Sequence, residues 1–243
     1  MRLALHPTGE AGRRAGLILL AEAELVALGL YGYDGPRISD RRTMTIGGLD
    51  GFDLLITDDP EPTPIAAIAA EDGVHCVAAG EASAEVAGHY SAAGLTLLDG
   101  VGLAGLAATL AIHEAARVED SAEVTAAWTV PGKPLRRGIA VGFPAPVGAR
   151  WGRPTAGGIE VPIAGAWGAA AATVRGRVDG SWTERLVGVA DDRWHLEGIT
   201  LAAGALVVAR GLAPAGRSQP PDVAGAFLSA ALGVGLGVAT HIS

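Results

Sequence analysis

Five short apolar runs, several of them separated by helix-like stretches, constrain this chain more than any other feature. They are Arg2–Leu5, Leu25–Leu30, Phe52–Thr57, Val74–Ala78 and Leu95–Leu98. Helical character fills Gly9–Ala21, Pro64–Ala70, Ala82–Ala92 and Leu103–Ala116. Strands that read as continuous apolar runs, rather than alternating ones, are buried on both faces. With helices between them, the economical arrangement is a parallel sheet covered on both sides, and right-handed crossovers make it doubly wound. Ligands of such folds sit outside the carboxyl ends of the strands. Here those ends carry His6–Gly12, Tyr31–Asp34, Asp58-Asp59, Ala79–Glu81 and Asp99–Gly102.

After Arg117 the alternation stops. Glu123–Val130, Gly138–Phe143, Ile159–Ile163, Ala171–Val178 and Arg185–Val189 follow one another, with turn residues between them such as Pro131-Gly132 and Asp179-Gly180. Successive strands without intervening helices predict a mostly antiparallel sheet. A helix near Gly198–Arg210 and a loop over Ala213–Pro221 come next. The expected fold class is α/β: a Rossmann-type domain over residues 1–118 and an α+β substrate and dimerisation domain over 119–221. A terminal segment, 222–243, is expected to pack back on the body.

The charge balance excludes some classes of function. A net charge of −8 over 243 residues argues against a general nucleic-acid binder, which needs a basic face. Cys76 is alone, so no intramolecular disulfide forms, and its apolar run predicts a buried, inert thiol. Val223–Thr240 is uncharged and long enough to raise the question of a membrane span. Its alternating Gly233, Gly235 and Gly237 make a poor helix, and a buried terminal segment is expected instead. Arg2 leads into a strand and then a glycine turn rather than a signal peptide, which favours the cytoplasm.

Two glycine patterns compete for a phosphate. Gly100-Val101-Gly102-Leu103-Ala104-Gly105 is a literal GxGxxG after a strand and before a helix. The strand that follows it begins the all-strand region and ends in no ribose-binding acid, so the pattern reads as helix–sheet packing. The opening turn has better context and worse letters. Gly9 would let backbone approach a pyrophosphate, Gly12 would let the helix sit close to the sheet, and Arg13 and Arg14 add positive charge. The first glycine is replaced by His6-Pro7, and the second strand ends in Leu30, Tyr31 and Gly32 without an acid. Arg37, Arg41 and Arg42 follow that strand; they fit either the extra phosphate of NADP or a solvated loop.

The whole chain resembles the two-domain NAD(P)-dependent oxidoreductases of the saccharopine dehydrogenase-like, homoserine dehydrogenase-like and dihydrodipicolinate reductase-like group. The likeness lies in HPTGEAG after the first strand, ITDDPEPTPIAAIAAEDGVHCVAAGE at the third and fourth, LLDGVGLAGLAATLAIHEA at the fifth, and VRGRVDGSWTERLVGVADDRWHLEGITLAAGALVVARGL later. The resemblance implies that the first turn holds the cofactor pyrophosphate and that the ends of the third and fourth strands border the nicotinamide. The cofactor candidates for NADP or NAD are therefore His6, Thr8, Gly9, Glu10, Ala11, Gly12, Arg13, Asp58, Asp59 and Ala79. Asp99 and Lys133 are substrate candidates. The group's histidine–lysine substrate signature is absent, and no catalytic residue carries over.

Other chemistry is thinly represented. The six histidines show no metal-ligand spacing, and no metal site is expected. No nucleophile elbow or phosphate-binding GxxxxGK[ST] loop occurs. The five tryptophans all lie in the second half, where a pocket, packing or a subunit interface would each use them. A homodimer is expected, because a single helix is available to cover the second sheet. The expected function is an NAD(P)H-dependent oxidoreductase acting on a small polar metabolite. The alternative is a catalytically degenerate relative that keeps the scaffold as a binding, regulatory or assembly protein.

Overall fold

A computed structural model describes residues 1–36 and 38–242. In chain order its elements are β1 (Arg2–His6), α1 (Glu10–Leu19), β2 (Ala27–Tyr31), β3 (Thr43–Ile46), β4 (Leu54–Thr57), α2 (Thr63–Glu71), β5 (His75–Ala78), α3 (Ala84–Ala93), β6 (Thr96–Leu98) and α4 (Leu103–Ala115). There follow β7 (Ser121–Pro131), β8 (Ile139–Val141), β9 (Arg150–Thr155), β10 (Gly158–Ile163), β11 (Trp167–Val178), β12 (Ser181–Asp192), α5 (Arg193–Ala209), β13 (Gly216–Ser218), α6 (Ala224–Gly233) and β14 (Ala239–Ile242).

The first sheet is parallel throughout, in the order β13-β6-β5-β4-β1-β2-β3. Read from its other edge, this is the 3-2-1-4-5-6 order of doubly wound nucleotide-binding sheets, with one strand added. Strand alternation splits its core in two. Ala4, Leu55, Cys76, Ala78 and Leu97 face α2 and α3, packing with Ile65, Ala66, Ala69, Val86 and the fully buried Tyr90. On the other face Leu5 lies so close to α1 that a Cβ at Gly16 would stand 2.7 Å from it. Cys76 is buried, as expected, and burial pushes its thiol up to about 12.

The second sheet runs β14-β12-β11-β7-β10-β9-β8. All its pairings are antiparallel except β7 with β10. The twelve-residue strands β11 and β12 are joined by Asp179-Gly180, both at positive φ, as a tight hairpin turn demands. The α/β class, with a parallel sheet followed by a mostly antiparallel one, is as the sequence predicts. Three strands in stretches read as loop or terminal segment, β3, β13 and β14, add to the two sheets, and β9 adds to the second.

The division into compact units differs from a linear cut near residue 118. One unit comprises Met1–Gly102 and Glu197–Val234; the other comprises Leu103–Leu196 and Gly235–Ser243. The reason is packing. Helix α4 lies on β7 and β11 rather than on the first sheet, while β13 returns to pair with β6. The terminal segment is likewise divided, α6 going to the first unit and β14 pairing with β12 in the second. Among the described residues no helix is long and apolar enough to cross a membrane.

Candidate functional site

The first sheet reverses its strand order between β1 and β4, and a crevice opens at the carboxyl ends of such a pair. Chain leaving β1 turns through Pro7 and Thr8 into α1, whose N-cap Gly9 is fully extended. The first turn of a helix has N–H groups with no partner inside the helix, and the helix dipole makes this end an anion site. Here that site has an occupant supplied by the chain itself. Asp58, the residue after β4, accepts from the Thr8 N–H at 2.5 Å, the Thr8 hydroxyl at 3.1 Å, the Gly9 N–H at 3.0 Å and the Gly12 N–H at 2.8 Å. Gly12 is required by this approach: a Cβ there would stand 2.8 Å from the Asp58 carboxyl carbon.

His6 takes the place of the missing first glycine. Its Nδ1 is 3.1 Å from the Thr57 hydroxyl, which also accepts from the Asp59 N–H, and its ring is tilted against Tyr31 at 6.1 Å. Glu10 is paired within its own helix. It accepts from Arg13 Nε at 2.8 Å and Arg14 Nε at 3.0 Å, and these guanidiniums, Arg13 foremost, hold its carboxyl down at about 2. The positive charge expected beside the turn is therefore partly spent on Glu10. Ala11 is buried.

The remaining candidates divide. Asp59 accepts from the Glu61 N–H at 2.9 Å and so caps its own turn. The Ala79 N–H donates to the Thr57 carbonyl. Asp99 is fully buried, accepting from the Ala82 N–H at 2.9 Å and Arg217 Nε at 3.0 Å; burial pushes its pKa above the usual carboxylate value. Arg217, on β13, also reaches Glu81. It stands 118 residues from Asp99 in sequence, and no local signal marks it. Lys133 is exposed in the turn after β7, in the second unit. In that unit Trp151, Trp167, Trp182 and Trp194 are also exposed. Arg37 lies outside the described residues; Arg42 is bound to Asp40 and to the Leu20 carbonyl. The amides of the literal GxGxxG are bound elsewhere: Gly100 N–H donates to the Gly80 carbonyl and Val101 N–H to the Ala78 carbonyl.

These residues fit a dinucleotide diphosphate in one respect and oppose it in another. Three converging N–H groups and a cradle that a Cβ would fill are right for a phosphate oxygen. The same groups are taken by Asp58, so a diphosphate fits only with that side chain turned out.

No protein-family model and no curated protein matches the chain. Solved structures do. Dihydrodipicolinate reductase from Paenisporosarcina sp. TG-14, with dipicolinate bound, aligns at TM-score 0.53 and 12% identity over 90% of this chain and 97% of that one. An engineered D-amino acid dehydrogenase bound to NADP+ aligns at 0.57 and 13% identity, over 94% and 95%. The DAP dehydrogenase of C. glutamicum, in complex with DAP, aligns at 0.57 and 13%, over 94% and 95%. At such identities the likeness identifies the fold: this chain has the Rossmann-type two-domain architecture found in these reductases and dehydrogenases.

Proposed function

We propose that this protein is an NAD(P)H-dependent oxidoreductase acting on a small polar metabolite. The observation that carries the reading is the anion hole at the start of α1. Its three N–H groups already hold a carboxylate at the point where strand order reverses and a diphosphate would lie. The bound nicotinamide would supply hydride chemistry, and the protein's part is to hold and orient it. Gly9 and Gly12 would meet the diphosphate, and Asp58 would have to leave. Equilibrium titration with NADPH and NADH, read by nicotinamide fluorescence, tests this. Binding with Kd below about 1 mM, equivalent to roughly 4 kcal/mol, is expected. Absence of binding at millimolar cofactor overturns it.

The second reading is a degenerate relative that has kept the scaffold as a binding, regulatory or assembly protein. Asp58 in the anion hole favours it, together with His6 in place of a glycine. Turnover of nicotinamide by the isolated protein would overturn it.

A further inference from the structure

We infer that Asp58 is an intramolecular competitor for the diphosphate subsite, a self-inhibitory latch that must open before a dinucleotide binds. The inference rests on the nicotinamide reading above and deepens it. Its ground is the coincidence of contacts. One carboxylate takes the Thr8, Gly9 and Gly12 N–H groups and the Thr8 hydroxyl. Those amides are the donors a phosphate would need, and an amide hydrogen cannot serve two anions at full strength. The carboxylate also packs into the space that the absent Gly12 side chain leaves, so latch and ligand exclude each other by volume as well as by charge.

The latch is built to open. Asp58 is only partly buried, and among the described residues its carboxylate is held by this one turn. Rotation about its own side-chain bonds would release the turn while β4 stays paired on both sides. Asp59, its neighbour, is held differently: its carboxylate caps the Glu61 N–H and its carbonyl accepts from Gly80. The second aspartate thus fixes the loop while the first swings. A competing internal ligand lowers apparent affinity by the fraction of time the site is closed.

The test compares wild type with Asp58→Asn, a near-isostere without the charge, and Asp58→Ser, which is too short to reach all three amides. Circular dichroism and thermal melting establish that each is folded. NADPH and inorganic pyrophosphate are titrated calorimetrically at low salt and in 1 M NaCl, where charges are screened beyond about 3 Å. Removal of the latch is expected to tighten both ligands at least tenfold, with the ratio to wild type largely kept in high salt. Equal affinities in wild type and variants overturn the latch and leave the nicotinamide reading standing. A gain that collapses below threefold in 1 M NaCl also overturns it, since repulsion alone would then account for the difference. Binding by the variants and none by wild type supports the latch and favours the degenerate reading. Failure of all three to bind overturns both.

Discussion

Two turns of the parallel sheet each lead glycine-rich chain into a helix, and they spend their amides in opposite ways. The turn after β1 has one glycine too few, yet its free N–H groups converge on a side chain, the Asp58 carboxylate. The turn after β6 has every letter of GxGxxG, yet its N–H groups go to main-chain carbonyls, Gly100 to Gly80 and Val101 to Ala78. A side chain can rotate away and leave the donors for a ligand. A carbonyl in the backbone of the neighbouring strand end cannot leave without dismantling the sheet edge. The capacity to hold a phosphate is thus decided by what the amides face, and the glycine spacing does not report it.

The largest expected effect tests the rigidity of the second turn. Gly80 joins the strand ends: its carbonyl accepts from Gly100 and its N–H donates to the Asp59 carbonyl at 3.3 Å. A Cβ at this position would lie 2.1 Å from the Pro60 carbonyl oxygen and 2.5 Å from its carbon. No flexible side chain is available to yield. Gly80→Ala is expected to cost about 3 kcal/mol, the upper range for overpacking, read as a shift in the urea midpoint at unchanged slope. A cost below about 1 kcal/mol would mean that this turn gives way readily, and the contrast between the turns would fail.

A smaller pair of effects sharpens the contrast from within GxGxxG. Gly100 has φ +67°, so Gly100→Ala is expected to lose about 1 kcal/mol from the left-handed backbone alone. A Cβ on Gly102 would meet nothing nearer than the Ala79 carbonyl oxygen at 3.9 Å. Gly102→Ala should therefore stay within about 0.5 kcal/mol of wild type and leave the NADPH titration unaltered. A dinucleotide fingerprint requires the reverse, because its second glycine is where backbone meets pyrophosphate. Loss of NADPH binding in Gly102→Ala would move the phosphate site to this turn.

Much of the scaffold is legible in the sequence because burial on both faces leaves continuous apolar runs such as Phe52–Thr57, and because Asp179-Gly180 announces its hairpin. What escapes is what lacks such a pattern. Strand β3, Thr-Met-Thr-Ile, is a partly exposed edge strand between polar flanks. Strand β13 is three residues long and includes Arg217. Asp58 is legible as a residue at a strand end, but the sequence places it among the ligands of a cofactor. Its role as occupant follows from a pairing between residues 8 and 58 that only the β1–β4 register brings about.

A further small effect concerns the charge that flanks the first turn. Glu10 lies in the first turn of α1, where a carboxylate complements the helix dipole. Arg13 chiefly, with Arg14, lowers its pKa from 4.5 to about 2. A carboxyl whose pKa is lower folded than unfolded binds fewer protons in the native state. Its stabilisation is therefore complete above about pH 4.5 and fades as the pH falls toward 2. The group is about a third exposed, so solvent screening reduces the contribution to roughly 0.5–1 kcal/mol. Glu10→Gln should be less stable than wild type by that amount in urea at pH 7. The gap should narrow at pH 3 and vanish near pH 2. A gap independent of pH would place the effect in the packing of the side chain. If the gap follows the pH, Glu10 already neutralises part of the arginine charge at this turn, leaving the amides themselves, and whichever carboxylate or phosphate they face, to decide what the turn binds.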